Sequence, residues 1–225
     1  FAISTQETRY YLNGIYLHKG EDGNLCAVAT DGHRLALTRQ ALPSGASQMP
    51  SVILPRKAVG ELRKLLDDYD GDVSAGLSET RAEFGFGAVR LTSKLIDGTF
   101  PDYTRVIPAG NDRIMQVDAS SFSAAVDRVS TISSEKSRSV KMGLKPGVLT
   151  LSASNTDASS ATEELEVAYE GPEMDIGFNA RYLLDIAGQV NNDIVEFALA
   201  DQGSPSLVRA PDDDASLFVL MPMRV

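Results

Sequence analysis

An internal repeat is the feature that most restricts how this chain can fold. The segments "VILPRKAVGELRKLL" and "IGFNARYLLDIAGQV" each read as a strand that runs into a helix. An offset of 124 residues pairs Lys57 with Arg181 and Leu62 with Ile186. Self-similarity of this kind is the signature of a duplicated structural unit, and 225 residues leave room for two such units. We therefore expect two copies of one module, divided at the Pro/Gly/Asn linker "PAGNDRI" into domains 1–112 and 113–225.

Apolar spacing predicts the elements of each module. Residues 55–68, 118–134 and 179–190 carry apolar side chains at helical intervals, with Asp118 or Ser120 and then Asn179 as N-cap candidates. The remaining chain alternates apolar and polar residues in short runs separated by Gly, Asn, Asp and Pro, which is typical of strands. The run "RYYLNGIYLHKG" reads as one such strand, with Tyr10 and Tyr11 on opposite faces. Hairpin-length connections favour antiparallel sheets and an α+β class.

The two modules differ at their beginnings. The second opens with the predicted helix at 118–133, whereas almost nothing stands before Phe1 to match it. We therefore expect the chain to begin inside a module, with the first helix of domain 1–112 largely missing.

Composition limits the class of protein. The single cysteine, Cys26, allows no disulfide within one chain, and no apolar run approaches the roughly 20 residues of a membrane span. These observations predict a cytoplasmic protein without a membrane segment. The net charge of −10 argues mildly against simple nucleic-acid binding. The charge is uneven, since residues 1–112 hold 12 basic and 14 acidic side chains and residues 113–225 hold 9 and 17.

The stretch "ATDGHRLAL" is the densest cluster of reactive residue types. Asp31 and His33 suggest catalysis or metal binding, but no G-x-S-x-G, phosphate-binding loop or glycine-rich nucleotide motif is present. His18, His33 and Cys26 lack the spacing of a zinc site. We therefore predict no catalytic residue, metal or cofactor, and keep a DNA-modifying enzyme using Asp31 and His33 as the alternative function. A β-turn with Gly32 at positive φ is the structural interpretation.

Two further features indicate binding. The helix at 55–68 carries a basic stripe opposite its leucines, and such a stripe either is simply solvated or contacts phosphates without reading bases. The stripe comprises Arg56, Lys57, Arg63 and Lys64, and a second basic cluster comprises Arg128, Lys136, Arg138, Lys141 and Arg181. At the C-terminus, Pro222 ends any central strand. Met221 and Met223 beside it form either an adaptable peptide-binding surface or part of the core, and the sequence leaves both open.

Several stretches together resemble one family. "RYYLNG", "ATDGHRLAL", "PRKAVGEL", "TSKLIDGTFPDYTRVIP" and "VLMPMR" occur in the order found in the second and third domains of the bacterial DNA polymerase III β subunit, the sliding clamp. The resemblance implies an α+β fold of tandem DNA-clamp domains, each with two inner helices packed on antiparallel sheets. It also implies a processivity factor without chemistry of its own, which encircles duplex DNA as a head-to-tail homodimeric ring.

The resemblance also implies sites. Replicative polymerase, clamp loader, repair polymerases and ligase would insert linear motifs into a groove between the two domains. That groove would be formed by Leu12, Thr30, Gly32, His33, Arg34, Leu35, Pro101, Arg105, Val106, Pro205, Val219, Leu220, Met221, Pro222, Met223, Arg224 and Val225. Pro205 replaces a serine of the family. DNA contacts would fall at Gln6, Tyr10 and Tyr11, and dimer contacts at Thr131, Ile132, Glu163 and Glu164.

Overall fold

The structure is a computed structural model that describes residues 1–133, 138–155, 159–190 and 192–224. The chain divides into two compact units, Phe1–Asp102 and Tyr103–Val225. This division falls before the boundary predicted at 112/113. Asn111 explains the difference, because its Nδ2 donates to the carbonyl oxygens of Ala198 at 2.8 Å and Pro205 at 2.9 Å. These bonds hold the linker against unit 2.

Unit 1 combines two antiparallel sheets with one α-helix. Its elements, in chain order, are a 3₁₀ helix (Glu7–Leu12), β1 (Gly14–Lys19), β2 (Leu25–Thr30), β3 (Arg34–Gln40), a second 3₁₀ turn (Ala46–Gln48), β4 (Val52–Pro55), α1 (Arg56–Leu66), β5 (Ser74–Leu77), β6 (Arg81–Phe86) and β7 (Val89–Lys94). Within this unit the strands pair in the orders β4-β1-β2-β3 and β5-β6-β7. Leu54, Ala58 and Phe84 belong to the buried core that joins α1 to both sheets.

Unit 2 repeats this plan. Its elements are a 3₁₀ helix (Tyr103–Val106), β8 (Arg113–Asp118), α2 (Ala119–Ser130), β9 (Ser139–Lys145), β10 (Val148–Ser154), β11 (Ser160–Glu166), β12 (Met174–Asn179), α3 (Ala180–Ala187), β13 (Ile194–Leu199), β14 (Ser206–Arg209) and β15 (Ser216–Leu220). The strands pair in the orders β12-β9-β10-β11 and β8-β13-β14-β15. The first order matches β4-β1-β2-β3 of unit 1, and α1 and α3 begin at residues 56 and 180, so the predicted repeat is confirmed.

The predicted helices and both N-caps are confirmed. Asp118 accepts a hydrogen bond from the backbone N–H of Ser121 at 2.7 Å, and Asn179 accepts one from Arg181 at 3.0 Å. Each cap satisfies a donor that the first helical turn leaves without a partner. The periodic apolar residues Phe122, Val126 and Val129 of α2 are buried, as their spacing predicts.

The strand predicted through Tyr10 and Tyr11 is wrong. Residues 7–12 form a 3₁₀ helix, and β1 begins only at Gly14. Leu12 is the one buried residue of this helix. The alternation argument therefore fails at this point, and the two tyrosines lie on a short helix rather than on opposite faces of a sheet.

A tyrosine packed over a glycine forms a corner in each unit. The Tyr69 hydroxyl donates to the Asp72 carbonyl at 3.3 Å, and the Tyr169 hydroxyl donates to the Pro172 carbonyl at 2.7 Å. A Cβ on Gly71 or Gly171 would lie 2.5 Å from the corresponding hydroxyl oxygen. We call these two corners the tyrosine turns. Each needs a residue without a side chain two positions after its tyrosine.

Candidate functional site

The turn between β2 and β3 is closed by its own side chains. Thr30 Oγ1 donates to the Arg34 carbonyl at 2.7 Å and accepts from the Gly32 N–H at 3.1 Å. Gly32 has φ 89°, in the left-handed region that glycine adopts without a steric penalty. The predicted turn is therefore confirmed.

Both carboxylate oxygens of Asp31 accept hydrogen bonds from residues of this turn. Its Oδ1 accepts from the N–H groups of His33 at 2.9 Å and Arg34 at 3.1 Å, while Oδ2 accepts from Arg34 Nε at 3.1 Å. Within the described residues, no three His, Cys, Asp or Glu side chains are grouped closely enough to hold a metal ion. Nothing in this geometry supports the alternative of an enzyme that uses Asp31 and His33.

Arg34 secures the beginning of the chain. Its side chain is only 9% exposed, its Nη2 donates to the Phe1 carbonyl at 2.8 Å, and its guanidinium lies 5.2 Å from the centroid of the Phe1 ring. The contact with Asp31 balances the buried charge, and the ring adds a cation–π contact. Arg34 therefore supports the turn from within.

The residues of unit 1 assigned to peptide binding differ in exposure. Leu12 and Leu35 are buried core residues and Thr30 is half-buried. Gly32, His33 and Pro101 are exposed. A ligand reaching this surface would therefore contact the exposed residues Gly32, His33 and Pro101 rather than the two buried leucines.

The residues of unit 2 assigned to peptide binding also include both buried and exposed side chains. Val219 and Leu220 are buried in β15, whereas Met221 is 38% exposed. β15 ends before Pro222, as predicted, and the Met223 N–H then donates to the Gly177 carbonyl at 2.8 Å. Neither methionine is buried, so the surface interpretation of "MPM" is favoured over the core one. Arg105, Val106 and Arg224 are exposed, Pro205, Pro222 and Met223 are half-buried, and Val225 lies outside the described residues.

The residues assigned to DNA contact lie on the first 3₁₀ helix or just before it. Gln6 is exposed, Tyr10 is 54% exposed and Tyr11 is half-buried. The two tyrosine rings meet edge to face with their centroids 5.7 Å apart. Arg9, which lies between Gln6 and the tyrosines in the sequence, is exposed. Its guanidinium lies close to the turn, because a Cβ added at Gly32 would be 2.8 Å from Arg9 Nη1. Exposed aromatic and amide groups beside a cation are suited to contact with nucleic acid.

The basic stripe on α1 is exposed as predicted. Arg56, Lys57, Arg63 and Lys64 all face solvent, while Ala58 on the opposite side is buried. Lys64 pairs with Glu61 at 3.3 Å. Unit 1 is described throughout, and in it Arg56, Lys57 and Arg63 have no ion-pair partner within about 4 Å. These three cations are therefore available to an anionic partner.

The basic cluster predicted in unit 2 is largely neutralised. Arg128 forms a two-contact pair with Glu163, Lys141 lies 3.1 Å from Asp175, and Arg181 lies 3.9 Å from Asp185. Lys136 lies outside the described residues, and Arg138 is exposed. The two arginines on the described helices of unit 2 therefore differ from Arg56, Lys57 and Arg63 of α1 in having a carboxylate partner within the chain.

The Arg128–Glu163 pair joins residues 35 positions apart, and no spacing rule in the sequence points to it. Arg128 Nε donates to Glu163 Oε2 at 3.1 Å, and Nη2 donates to Oε1. These hydrogen bonds hold the pKa of the Glu163 carboxyl below its ordinary value and raise the pKa of Arg128. Of the other residues assigned to the dimer contact, Thr131 and Glu164 are exposed and Ile132 is half-buried.

Known proteins of one family match both halves of the chain. Residues 1–102 match the model of the DNA polymerase III beta subunit central domain, and residues 104–224 match that of its C-terminal domain. The chain is 53% identical to the Beta sliding clamp of Caulobacter vibrioides strain NA1000 and 37% identical to that of Escherichia coli K12. All of this chain is covered in both cases, but only 61% of each relative.

Solved structures give the same result. A DnaN sliding clamp from Bartonella birtlesii bound to griselimycin matches with a TM-score of 0.97 and 55% identity, covering 100% of this chain and 61% of that one. The Pseudomonas aeruginosa DNA polymerase III subunit beta matches with a TM-score of 0.94 and 42% identity, covering 100% and 61%. The tandem α+β units are therefore those of the DNA sliding clamps. The chain belongs to the DNA polymerase III beta subunit family, and it spans about 61% of the length of these relatives.

Proposed function

We propose that this chain serves as the DNA-holding and partner-recruiting part of a sliding clamp, a non-catalytic processivity factor for the replicative DNA polymerase. The exposed basic stripe of α1 is the observation that carries this proposal. Arg56, Lys57 and Arg63 present three uncompensated charges on a chain whose net charge is −10. Phosphate contacts of this kind hold duplex DNA without reading its sequence, which suits sliding.

The proposed assembly is a cytoplasmic homodimeric ring, closed head to tail around duplex DNA. Thr131, Ile132, Glu163 and Glu164 are its proposed contacts on this chain. Exposure of Thr131 and Glu164 is compatible with such an interface. Gln6, Tyr10 and Tyr11 are proposed as DNA contacts in addition to the α1 stripe.

Recruitment is proposed to act through short peptide motifs of the replicative polymerase, the clamp loader, repair polymerases and ligase. Exposed Val106 and Met221 offer apolar contact, and Met221 can adjust to different side chains. Arg105 and Arg224 are exposed cations that would bind acidic or carbonyl groups of a peptide. The buried residues Leu12, Arg34, Leu35, Val219 and Leu220 would act by shaping the surface.

A primer-extension assay tests clamping. The replicative polymerase, its clamp loader and ATP extend a primed circular template with and without a clamp protein that contains this chain. We expect the protein to lengthen the products of a single binding event, and a variant carrying Arg56→Gln, Lys57→Gln and Arg63→Gln to lengthen them less. Product lengths that do not change when wild-type protein is added would contradict clamping.

Fluorescence anisotropy tests recruitment. A labelled peptide from the C-terminal tail of the polymerase is titrated with the wild-type chain and with a chain lacking Met221 to Val225. The deletion should abolish binding while circular dichroism shows the fold retained, and Val89→Ala, which alters an exposed valine elsewhere, is the matched control. Unchanged peptide affinity after the deletion would refute the site. Griselimycin, which the Bartonella birtlesii clamp binds, serves as a second ligand whose competition with the peptide shows whether the two share a surface.

A further inference from the structure

Unit 2 contains a polar cleft that is lined by none of the residues proposed for DNA, peptide or dimer contact. The cleft has a volume of about 870 Å³ and lies against one face of the sheet β12-β9-β10-β11. Side chains alternate along these strands, so Met142 and Leu151 are buried on one face. Lys141, Gly143, Thr150 and Ser152 line the cleft on the other.

The register of the strands explains the depression. Gly143 of β9 lies directly opposite Thr150 of β10 on one side and Asp175 of β12 on the other. Because Gly143 has no side chain, the sheet is open above this position. A Cβ there would lie 3.1 Å from Asp175 Oδ1 and 3.8 Å from Thr150 Cβ. The glycine therefore creates a pocket within a row of longer side chains.

Hydroxyl groups form the floor and rim of the cleft. Thr150 and Ser152 are half-buried, and Thr162 of β11, directly opposite Ser152, is exposed at the rim. Within the described part of the chain, none of these three hydroxyls makes a hydrogen bond. Three hydroxyl donors in one cleft can together bind the oxygens of a ligand.

Arg113 is the cation of the cleft that forms no ion pair within about 4 Å among the described residues. It is half-buried, and its hydrogen bond is to the thioether of Met174, with Nη1 3.3 Å from Sδ. A thioether is a weak acceptor, and a guanidinium carries about five N–H donors. Among the described residues, no carboxylate lies within about 4 Å of this guanidinium. Most of its hydrogen-bonding capacity is therefore unused.

The other charges of the cleft are already balanced or occupied. Lys141 pairs with Asp175 at 3.1 Å, and Lys145 pairs with Glu173 at 3.9 Å. Asp201 accepts hydrogen bonds from the Gly203 and Ser204 N–H groups and from Ser204 Oγ. These bonds lower the pKa of Asp201, so it remains ionised near Arg113. The charged side chains of the cleft sum to no net charge, so the cleft offers little compensation for desolvating a phosphate dianion, and a carboxylate monoanion fits the unused donors of Arg113 better.

We propose that this cleft binds the carboxylate of an acidic residue within a short polar peptide. Arg113 holds the carboxylate through paired N–H donors, and the hydroxyls of Thr150, Ser152 and Thr162 bind the adjoining peptide groups. The volume falls within the range of known ligand pockets, roughly 300 to 1,000 Å³. The inference concerns a surface of unit 2 other than the proposed peptide-recruiting residues, and it does not depend on the clamp function.

Heteronuclear NMR of the whole chain tests the site. The probes are the blocked tripeptide N-acetyl-Ser-Glu-Gly-amide, its Gln counterpart and inorganic phosphate. We expect the Glu peptide to shift the signals of the Arg113 side chain and the Gly143 and Thr150 amides. The Gln peptide should bind about tenfold more weakly, because it lacks the charge that pairs with the guanidinium.

Two variants and a control locate the ligand. Arg113→Gln should weaken binding of the Glu peptide about tenfold, and Thr150→Val, which keeps the side-chain shape, should weaken it by a smaller factor. Arg90→Gln removes an exposed cation of unit 1 and should change nothing. Equal binding of the Glu and Gln peptides, unshifted signals at Arg113 and Gly143, or tighter binding of phosphate would each overturn the proposal.

Discussion

Arg128 of α2 and Glu163 of β11 are joined by two parallel hydrogen bonds, so the one arginine of α2 is occupied by an acid of its own unit. A bidentate pair fixes the geometry of both side chains. Glu163 is a proposed contact to a second protomer, and here its carboxylate already has a partner within the chain. The pair should therefore make the stability of the chain depend on pH, and it leaves Arg128 less available to an anionic partner than the cations of α1.

The stability provided by Arg128 and Glu163 should depend on pH. Arg128 holds the pKa of Glu163 below its ordinary value of 4.5. The pair therefore stabilises the folded chain above that ordinary value, and the contribution disappears as the pH falls through the folded-state pKa. Glu163→Gln should lower the Tm at neutral pH, and the difference from wild type should shrink as the pH is lowered below 4.5. Glu164→Gln, at the neighbouring exposed position, is the control for thermal unfolding. A difference in Tm that stays constant with pH would contradict the assignment.

DNA binding should depend on α1 and not on the paired arginines of unit 2. Removal of one phosphate contact should reduce the slope of log affinity against log salt by about 0.9. The variant with Arg56→Gln, Lys57→Gln and Arg63→Gln should therefore reduce this slope by up to about 2.7 for a random-sequence duplex. Arg128→Gln and Arg181→Gln are controls that remove the same type of charge from the helices of unit 2. Equal reductions from both sets, measured by anisotropy over a range of salt, would show that the α1 stripe has no special role.

Replacement of Gly60 or Gly71 by alanine should change the stability of unit 1 in opposite directions. Gly60 lies in α1 with nothing within 4 Å of the place that a methyl group would take, so Gly60→Ala should stabilise unit 1 by about 1 kcal/mol through helix propensity. Gly71→Ala would force the Tyr69 ring away and should destabilise the unit by about 1 to 3 kcal/mol. Urea unfolding measures both values. A Gly71→Ala variant as stable as wild type would show that the tyrosine turn is not tightly packed, and a destabilised Gly60→Ala variant would contradict the helix-propensity argument.

Asn179 should stabilise α3 by capping it. Its side chain accepts the Arg181 N–H at 3.0 Å, and replacement of such a cap by alanine costs about 1 kcal/mol. Asn179→Ala should therefore lower the urea midpoint of unit 2. Gln189→Ala, at an exposed position just beyond the helix, should stay within about 0.5 kcal/mol of wild type. A cap variant as stable as this control would show that water replaces the bond at no cost in stability.

Local signals predicted the elements well and the contacts between distant residues poorly. The caps at Asp118 and Asn179 were predictable because cap and helix are adjacent in sequence. The 3₁₀ helix at residues 7–12 was missed because its tyrosines favour strands while only Leu12 is buried. Backbone hydrogen bonds close this segment instead, since the Ser4 N–H donates to the Leu12 carbonyl at 3.1 Å and the Asn13 N–H to the Tyr10 carbonyl at 3.0 Å.

The burial of Arg34 and the pairing of Glu163 could not have been predicted from spacing. Arg34 is bound to the Phe1 carbonyl, 33 residues away, and Glu163 to a helix residue 35 positions away. Both partners are set by the fold and not by any local rule. The sequence therefore located the turn at residues 30–34, but it did not show which side chains of the turn remain accessible.

The tyrosine turns bear on the history of the chain. Tyr69 follows a helix and Tyr169 follows a strand, and they stand 100 residues apart, whereas the repeated helices stand 124 apart. Inheritance from one duplicated ancestor accounts for the matching helices, but it would have put the tyrosines at matching places too. The same corner therefore stands at different places in the two halves, and the repeat that relates the helices does not relate the tyrosines. An alignment of the halves anchored on these tyrosines would superimpose the wrong elements.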